Sequence, residues 1–516
     1  MRRALAALAL AGLTAACGST VQMSSQATVG NDGLGGSGNG LGTGSSAASG
    51  TGGGLGATTG SGSAAGGAGT SGLASGSSST TGSSPAGGTA VGALPVAGAG
   101  GIPTSGPGWD AKHVYIGVTT QKDVNTAAQS VGAKGLDAGD QEAEVNAVVA
   151  YLNAQGGLFG RQIVPVFHDL STVSTQQNPD AAGAATCSYF STDKKVIALF
   201  NPVTLEDVDS FRSCMAQHKI PLFSASVAPV TQQIAQKYAP YFFQSVAPTW
   251  DALAPAFVQG LAAQGYFASA WNTSSGSSLP GTPKIGLIHD NTPGDIQSAA
   301  VLTRALKAAG HPVAQDFTYD SKNNSSLSSA VLQFRGNGID HVLSPDSGLV
   351  AFQLQATSQN YRPRYGVSSI NAPVTFLQAN GGPSQNAGDV GVGWAPTLDV
   401  DDAHDPGVLN STQATCNDIM AKAHQNLTGK RLGRAVAYAF CDGLFLIAKG
   451  AKAGGGFQGV QIYNGMLKVA PTFPSAFSFA PGLKPNRLFI PGGVRPLNYN
   501  SSCQCFQYGS RTTTRL

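Results

Sequence analysis

Charged side chains are scarce in this chain: Lys, Arg, Asp and Glu make up 11% of it, and they nearly cancel at +3. With no basic cluster either, nucleic acid is excluded as a partner. Long apolar runs are missing too. Beyond the N-terminus the best candidate, Ala435 to Ala448, is interrupted by Asp442 and reads as a buried helix, not a membrane span. There is no Cys-x-x-Cys pair, and the eight histidines show no His-x-x-x-His spacing, so no metal site and no cofactor is expected. The folded region also lacks Gly-x-Ser-x-Gly, a phosphate loop, His-Glu-x-x-His and kinase signatures. Leu427-Thr-Gly429-Lys430-Arg431 lacks the upstream glycine and the hydroxyl a phosphate loop needs. The acidic cluster Asp399-Val-Asp401-Asp402-Ala-His-Asp405 does not have calcium-loop spacing and reads as a solvated loop. An enzyme is therefore not expected.

What is present begins with an export signal. Met1-Arg2-Arg3 is positive, Ala4 to Leu13 is a short apolar run, and small residues lead to Cys17. The run is too short to span a bilayer, so residues 1–16 read as a cleaved signal. Leu13-Thr14-Ala15-Ala16-Cys17 resembles a bacterial lipobox, which implies lipid on Cys17 and attachment to the outer face of the cell membrane. The alternative is a plain secretory signal that happens to end near Cys17. Residues 17–108 are almost all Gly, Ser, Thr and Ala, and hold much of the chain's 69 glycines. Such a segment cannot bury enough surface to offset its ordering entropy, so it is expected to be a disordered tether. Its r.m.s. span would be about 50 Å.

Cysteine usage fits an oxidising compartment. Cys187, Cys214, Cys416, Cys441, Cys503 and Cys505 form an even set, for which pairing of neighbours is the simplest of fifteen arrangements. The pairs 187–214 and 416–441 would join consecutive helices. Cys503-Gln504-Cys505 would close a very small ring.

From Val114 to Ser245 strands alternate with helices. Val114–Val118 is a strand, and a helix runs from about Ala138 to Leu152, capped by Asp137, with Val145, Val148, Val149 and Leu152 on one stripe. Strands follow at Ile163–Phe167, Val196–Phe200 and Ile220–Phe223, with helices at Pro179–Ser191 and Leu205–Gln217 between them. The pattern restarts at Lys284–His289 and continues through helices at Gly294–Ala309, Leu327–Arg335 and Leu349–Gln359, with strands at Val313–Phe317, His341–Ser344 and Arg364–Val367. Helices near 408–425 and 434–449 and short strands near the end complete it. The expectation is an α/β protein of two doubly wound lobes with parallel sheets. Residues 109–244 and about 400–485 would form the first lobe. About 245–399 and 486–508 would form the second, and 509–516 a tail.

Asn153-Ala-Gln-Gly-Gly-Leu-Phe-Gly-Arg-Gln-Ile163 resembles a segment of the leucine/isoleucine/valine-type (type I) periplasmic binding proteins, between their first helix and second strand. Lys195-Val-Ile-Ala-Leu, Ile220-Pro-Leu-Phe-Ser224, Lys284-Ile-Gly-Leu-Ile and Ala437-Tyr438-Ala-Phe-Cys-Asp442-Gly recur at similar stations. The resemblance covers about Val114 to Tyr508. It implies lobes joined by three hinge strands, a small polar solute closed between them, and delivery to an ABC permease.

In open parallel sheets, ligands gather beyond the carboxyl ends of the strands. Here those ends place Gln121, Asn201, Thr204, Ser224 and Ser226 in the first lobe and Asp346, Ser347 and Ser368 in the second. Short polar side chains of this kind fix a small head group, and they equally well cap the helices that follow. Amino-acid-binding relatives carry an acidic residue after the last second-lobe strand, where Tyr365-Gly-Val-Ser-Ser369 offers serines. The resemblance with this departure implies a branched-chain amino acid, an amide, a urea-like compound or another small polar metabolite as ligand. The same fold also serves surface sensors that do not transport.

Overall fold

The computed structural model describes residues 101–126, 136–202, 205, 208–321, 325–484 and 487–516. Cys17, the tether up to residue 100, and Thr204 lie outside them. The fold belongs to the unit Leu94–Leu516.

The first sheet is built from β1 (His113–Lys122), β2 (Gln162–Ser171), β3 (Leu199–Asn201), β4 (Leu222–Ser224) and β5 (Phe242–Gln244), ordered β2-β1-β3-β4-β5 and parallel throughout. Val114, Ile116 and Val118 are fully buried, whereas Gly117 lies against Phe190, where a Cβ would collide with the ring.

Helix α1 (Gln141–Ala154) packs Val145, Val148, Val149 and Leu152 inward. Its cap is Asp140, which accepts from Ala143 N, and not Asp137. Asp137 instead accepts from Gly139 N at 3.0 Å and pairs with Lys430 at 2.8 Å. The turn into β2 is locked by Asn153, whose amide donates to Ile163 O (2.9 Å) and accepts from Ile163 N (2.7 Å). Gly157 has φ +60°, and any Cβ there would strike Arg161 O. Hence the Gly-Gly of this segment.

Four helices complete this part: α2 (Thr172–Gln177), α3 (Pro179–Ser188), α4 (Asp209–Gln217) and α5 (Gln232–Lys237). The helix expected from Leu205 begins only at Asp209, and the strand expected from Val196 only at Leu199. Val196 N is drawn off to Phe190 O.

The chain then enters the second lobe through α6 (Trp250–Ala263) and a small hairpin, β6 (Ala270–Asn272) and β7 (Ser277–Leu279). Its sheet contains β8 (Ile285–Asp290), β9 (Val313–Tyr319), β10 (His341–Leu343), β11 (Arg364–Ser368) and β12 (Val390–Gly393), all parallel. Two antiparallel strands, β13 (Gly493–Asn500) and β14 (Cys505–Tyr508), extend it to the order β14-β13-β12-β11-β10-β8-β9. Residues 509–516 are not all tail, because β15 (Thr514–Arg515) pairs with Gly493–Val494. Helices α7 (Pro293–Ala308), α8 (Ser325–Gly336) and α9 (Leu349–Ser358) cover the sheet, followed by the one-turn α10 (Pro383–Asn386) and α11 (Pro396–Asp399).

Between these second-lobe strands the chain returns to the first lobe as α12 (Ser411–Lys422), α13 (Arg431–Gly454) and α14 (Gly459–Val469). Helix α13 is buried over most of its length, and Phe440 packs on Phe200 at 5.4 Å between ring centroids. No helix among the described residues is long and apolar enough to cross a membrane. Asp442, which interrupts its apolar run, accepts from Ser475 Oγ (2.5 Å), Ala476 N (2.7 Å) and Phe477 N (3.2 Å), while burial pushes its pKa up to about 7. Disulfides join α3 to α4 (Cys187–Cys214), α12 to α13 (Cys416–Cys441), and the two ends of the β13–β14 turn (Cys503–Cys505).

The chain crosses between the lobes three times, and the crossings lie side by side. Gln244 N donates to Leu488 O and Ile490 N to Gln244 O, while the Trp394 indole donates to Val246 O at 2.8 Å.

Candidate ligand-binding cleft

Parallel pairing puts register partners on the same face of a sheet. Asn201 is paired with Ser224, and Ser224 with Gln244. Thr119, in the C-terminal half of β1, closes the row by donating from Oγ1 to Asn201 Oδ1 at 2.6 Å. Four polar side chains thus line up across four strand ends of the first lobe, all fully buried. Two of their atoms, Ser224 Oγ and Gln244 Oε1, have no hydrogen-bond partner among the described residues. The other end of the Gln244 amide donates to Ala228 O at 3.1 Å, tying the row to the loop after β4. In that loop Ser226, half-buried, accepts from Ala228 N at 3.0 Å. Gln121 lies two residues beyond Thr119 and is half-buried; its backbone is bracketed by the Gln141 amide, at 3.1 and 3.2 Å.

The second-lobe strand ends are organised differently. Asp346 is buried, and its carboxylate accepts from Asp290 N (2.9 Å), Tyr319 OH (3.0 Å), Ser344 Oγ (2.7 Å) and Gly348 N (2.8 Å). Burial raises its pKa and these donors oppose the rise. Three donors crowd Oδ1 and one binds Oδ2, so the group holds the loop between β10 and α9. Ser368 accepts from Ile370 N at 3.3 Å and is buried in the turn after β11. Ser369 Oγ accepts from Trp394 N (2.8 Å) and donates to Asp399 (2.8 Å). Asp399 also takes the Tyr508 hydroxyl, and burial lifts it to about 7. Ser347 alone of these second-lobe positions is exposed.

The lobes meet around this edge. Thr231 Oγ1, after the first-lobe loop, donates to Gln297 on α7 at 3.1 Å. At the mouth, Phe376 of the second lobe packs on Leu136, beside Val124 and Leu432. Close to Gly139, at the start of α1, lies the Glu144 carboxylate, fully buried, with neither oxygen bonded among the described residues. Burial, with Asp140 and Asp137 nearby and only Lys430 opposing, pushes its pKa up to about 8.

The sequence places Asn201 and Ser224 at strand ends but does not reveal Gln244, because β5 is three residues long and follows only the six-residue α5. The register of β4 against β5 is the signal that identifies it. Glu144 was hidden inside the acidic first turn of α1, where an exposed carboxylate is the ordinary expectation.

Residues 130–484 match the model of the periplasmic binding protein family, well over half of the chain. No significant match is found among curated proteins. Several solved structures share the fold at low identity. A branched-chain amino acid transporter substrate-binding protein from Streptococcus pneumoniae, in complex with isoleucine, is 14% identical, with a TM-score of 0.53 over 78% of this chain and 100% of that one. An ABC transporter substrate-binding protein from Desulfitobacterium hafniense, in complex with Leu, is 15% identical, with a TM-score of 0.51 over 77% and 100%. A periplasmic binding protein type 1 from Bordetella pertussis is 13% identical, with a TM-score of 0.54 over 78% and 99%. Two lobes of parallel sheet, three adjacent crossings and the family match lead to one conclusion: this chain belongs to the periplasmic binding protein family and has its type I fold.

Proposed function

We propose that the protein is an extracytoplasmic solute-binding lipoprotein that closes its two lobes on a small polar ligand and presents it to an ABC permease. The observation that carries this reading is the buried row Thr119–Asn201–Ser224–Gln244, in which Ser224 Oγ and Gln244 Oε1 have no partner among the described residues. An unsatisfied buried polar group costs about 1–3 kcal/mol, and a ligand hydroxyl, amide or ammonium between the lobes removes that cost.

Ser226, Gln121 and Ser347 supply the rim of the cleft, and Asp346 and Ser368 act as positioning residues for the second-lobe loops. The family match and the leucine and isoleucine held by solved relatives favour a branched-chain amino acid, an amide or a solute of similar size. Serines 368 and 369 stand where a carboxylate would pair with an ammonium, which keeps neutral polar head groups in the set.

The test is a thermal-shift screen of amino acids, amides and ureas on the purified protein, followed by titration and small-angle scattering with the hit. One ligand per chain and a more compact particle are expected. Ser224→Ala should weaken binding about tenfold, the loss of one hydrogen bond in a closed site. A hit whose affinity ignores Ser224→Ala and Gln244→Leu alike would remove the assigned site; unchanged scattering at saturation would remove the closing mechanism.

A further inference from the structure

Outside the cleft, three metal-ligating side chains converge where the second crossing meets the β13–β14 hairpin. Cys503 and Cys505 flank Gln504 in the hairpin turn, and Cys505 Sγ lies 3.5 Å from His404 Nε2. The donor atoms of all three residues fall within 4.8 Å of one another. On its other side, His404 Nδ1 lies 2.6 Å from Asp401 Oδ1. That pairing puts the proton on Nδ1 and turns the Nε2 lone pair toward the sulfurs, the arrangement that orients metal-binding histidines.

A tetrahedral site with metal–sulfur distances of about 2.3 Å and metal–nitrogen distances of about 2.0 Å spaces sulfur and nitrogen roughly 3.5 Å apart. His404 and Cys505 already stand at that separation. Only the two sulfurs, now bonded to each other, must move apart. Cys503 and Gln504 are exposed in the turn, Cys505 is buried and His404 half-buried, so the site has both an entry path and a rigid wall.

We infer that, once the Cys503–Cys505 bridge is reduced, Cys503, Cys505 and His404 bind one thiophilic d10 cation, Zn2+ or Cu+, with Asp401 as the positioning residue. The chemistry is balanced with a small thiol as reductant. Two external thiols reduce the bridge to two protein thiols and leave as an external disulfide. Each protein thiol then loses one proton as its sulfur bonds the cation. The imidazole supplies the third ligand, and the exposed side leaves a fourth position for water or an external thiolate. The cation would clamp residue 404 of the second crossing to the second-lobe sheet, so the redox state of this pair would bear on lobe movement. This inference does not depend on the identity of the ligand in the cleft.

The experiment is equilibrium dialysis of the full-length protein against Zn2+, with and without a mild dithiol, read by elemental analysis. Alkylation and peptide mapping report which cysteines are free. The expected result is one zinc per chain after reduction and none before it. Cys503→Ser and His404→Gln should each weaken binding at least tenfold, and Asp401→Asn about tenfold. His218→Gln is the control for the other sulfur cluster, Cys187, Cys214 and His218, and should change nothing. Co2+ in place of Zn2+ should give sulfur-to-cobalt charge-transfer absorption in the wild type only. Equal far-ultraviolet dichroism of the oxidised variants shows that they fold. The inference is overturned by any of three results: no zinc on a chain with free Cys503 and Cys505, zinc binding unaffected by His404→Gln, or a bridge that resists the dithiol.

Discussion

Glu144→Gln isolates the cost of a single buried carboxyl. In the folded chain this group is buried beside Gly139 with no hydrogen-bond partner among the described residues, and its pKa rises from 4.5 to about 8. The groups facing it are Asp137 and Asp140, which oppose ionisation, and Lys430, which favours it but is already paired with Asp137. The folded pKa is the raised one, so the fold prefers the neutral acid. The stability this group contributes is complete below pH 4.5, where both states are protonated, and is lost as pH rises toward and through 8. At about 1.4 kcal/mol per pH unit of unmatched titration, the wild type loses about 3 kcal/mol between pH 5 and pH 8 from this group alone. Asp399 and Asp442, both raised to about 7, act in the same direction but are common to both proteins and cancel in the comparison. The assay is guanidinium unfolding of wild type and Glu144→Gln at the two pH values. The stability of the variant relative to wild type should grow by about 3 kcal/mol from pH 5 to pH 8, whatever offset the buried amide itself introduces. Parallel pH profiles for the two proteins would refute the assignment of a buried, neutral Glu144.

Cys214→Ser opens a bridge of sequence separation 27 between α3 and α4 and should cost about 3 kcal/mol in the chain-entropy picture, read as a lower denaturant midpoint. Asp442→Ala removes the acceptor for Ser475, Ala476 and Phe477 and should cost about 1–3 kcal/mol, with faster amide exchange at residues 475–478. At the other end of the chain, Cys17→Ala should move the expressed protein from the membrane to the soluble fraction; equal retention of both forms would sink the lipid anchor.

The elements that periodicity predicts are those whose burial is one-sided and long. The stripe Val145–Val148–Val149–Leu152 faces the core as expected, because a 14-residue helix repeats its pattern often enough to be read. Strands of three residues do not repeat anything. Leu222–Ser224 was visible only because apolar residues precede it, and Phe242–Gln244 and the hairpin 270–279 escaped. Helix α14 escaped for another reason. Its glycines at 459 and 465 lower helix propensity, yet Gly465 sits against Gly450 O of α13, where a side chain could not fit. Tertiary packing decided there against local preference.

The site shows the same division between what is local and what is not. That polar residues follow the strands is a property of short windows, and Asn201 and Ser224 were found that way. Whether such a residue faces a ligand or braces a loop depends on donors far away in the chain. Asp346 shows how. In the sequence it is an acid after a strand, free to receive a cationic group. In the fold its oxygens are taken by Asp290 N and Tyr319 OH, 56 and 27 residues distant, as well as by Ser344 and Gly348 in its own loop. Ser224 is the opposite case, since nothing in its window marks it as unpaired, yet the fold buries its hydroxyl with no partner among the described residues. A carboxylate with four donors gains little from a ligand and loses a loop if it turns toward one, whereas a buried hydroxyl with none gains a full hydrogen bond. The differential contacts that would favour closure therefore come from the neutral row Thr119–Asn201–Ser224–Gln244 and not from the acid. On that ground Ser224→Ala should change ligand affinity directly, while Asp346→Asn should act through the order of the β10–α9 loop and lower thermal stability even in the absence of ligand.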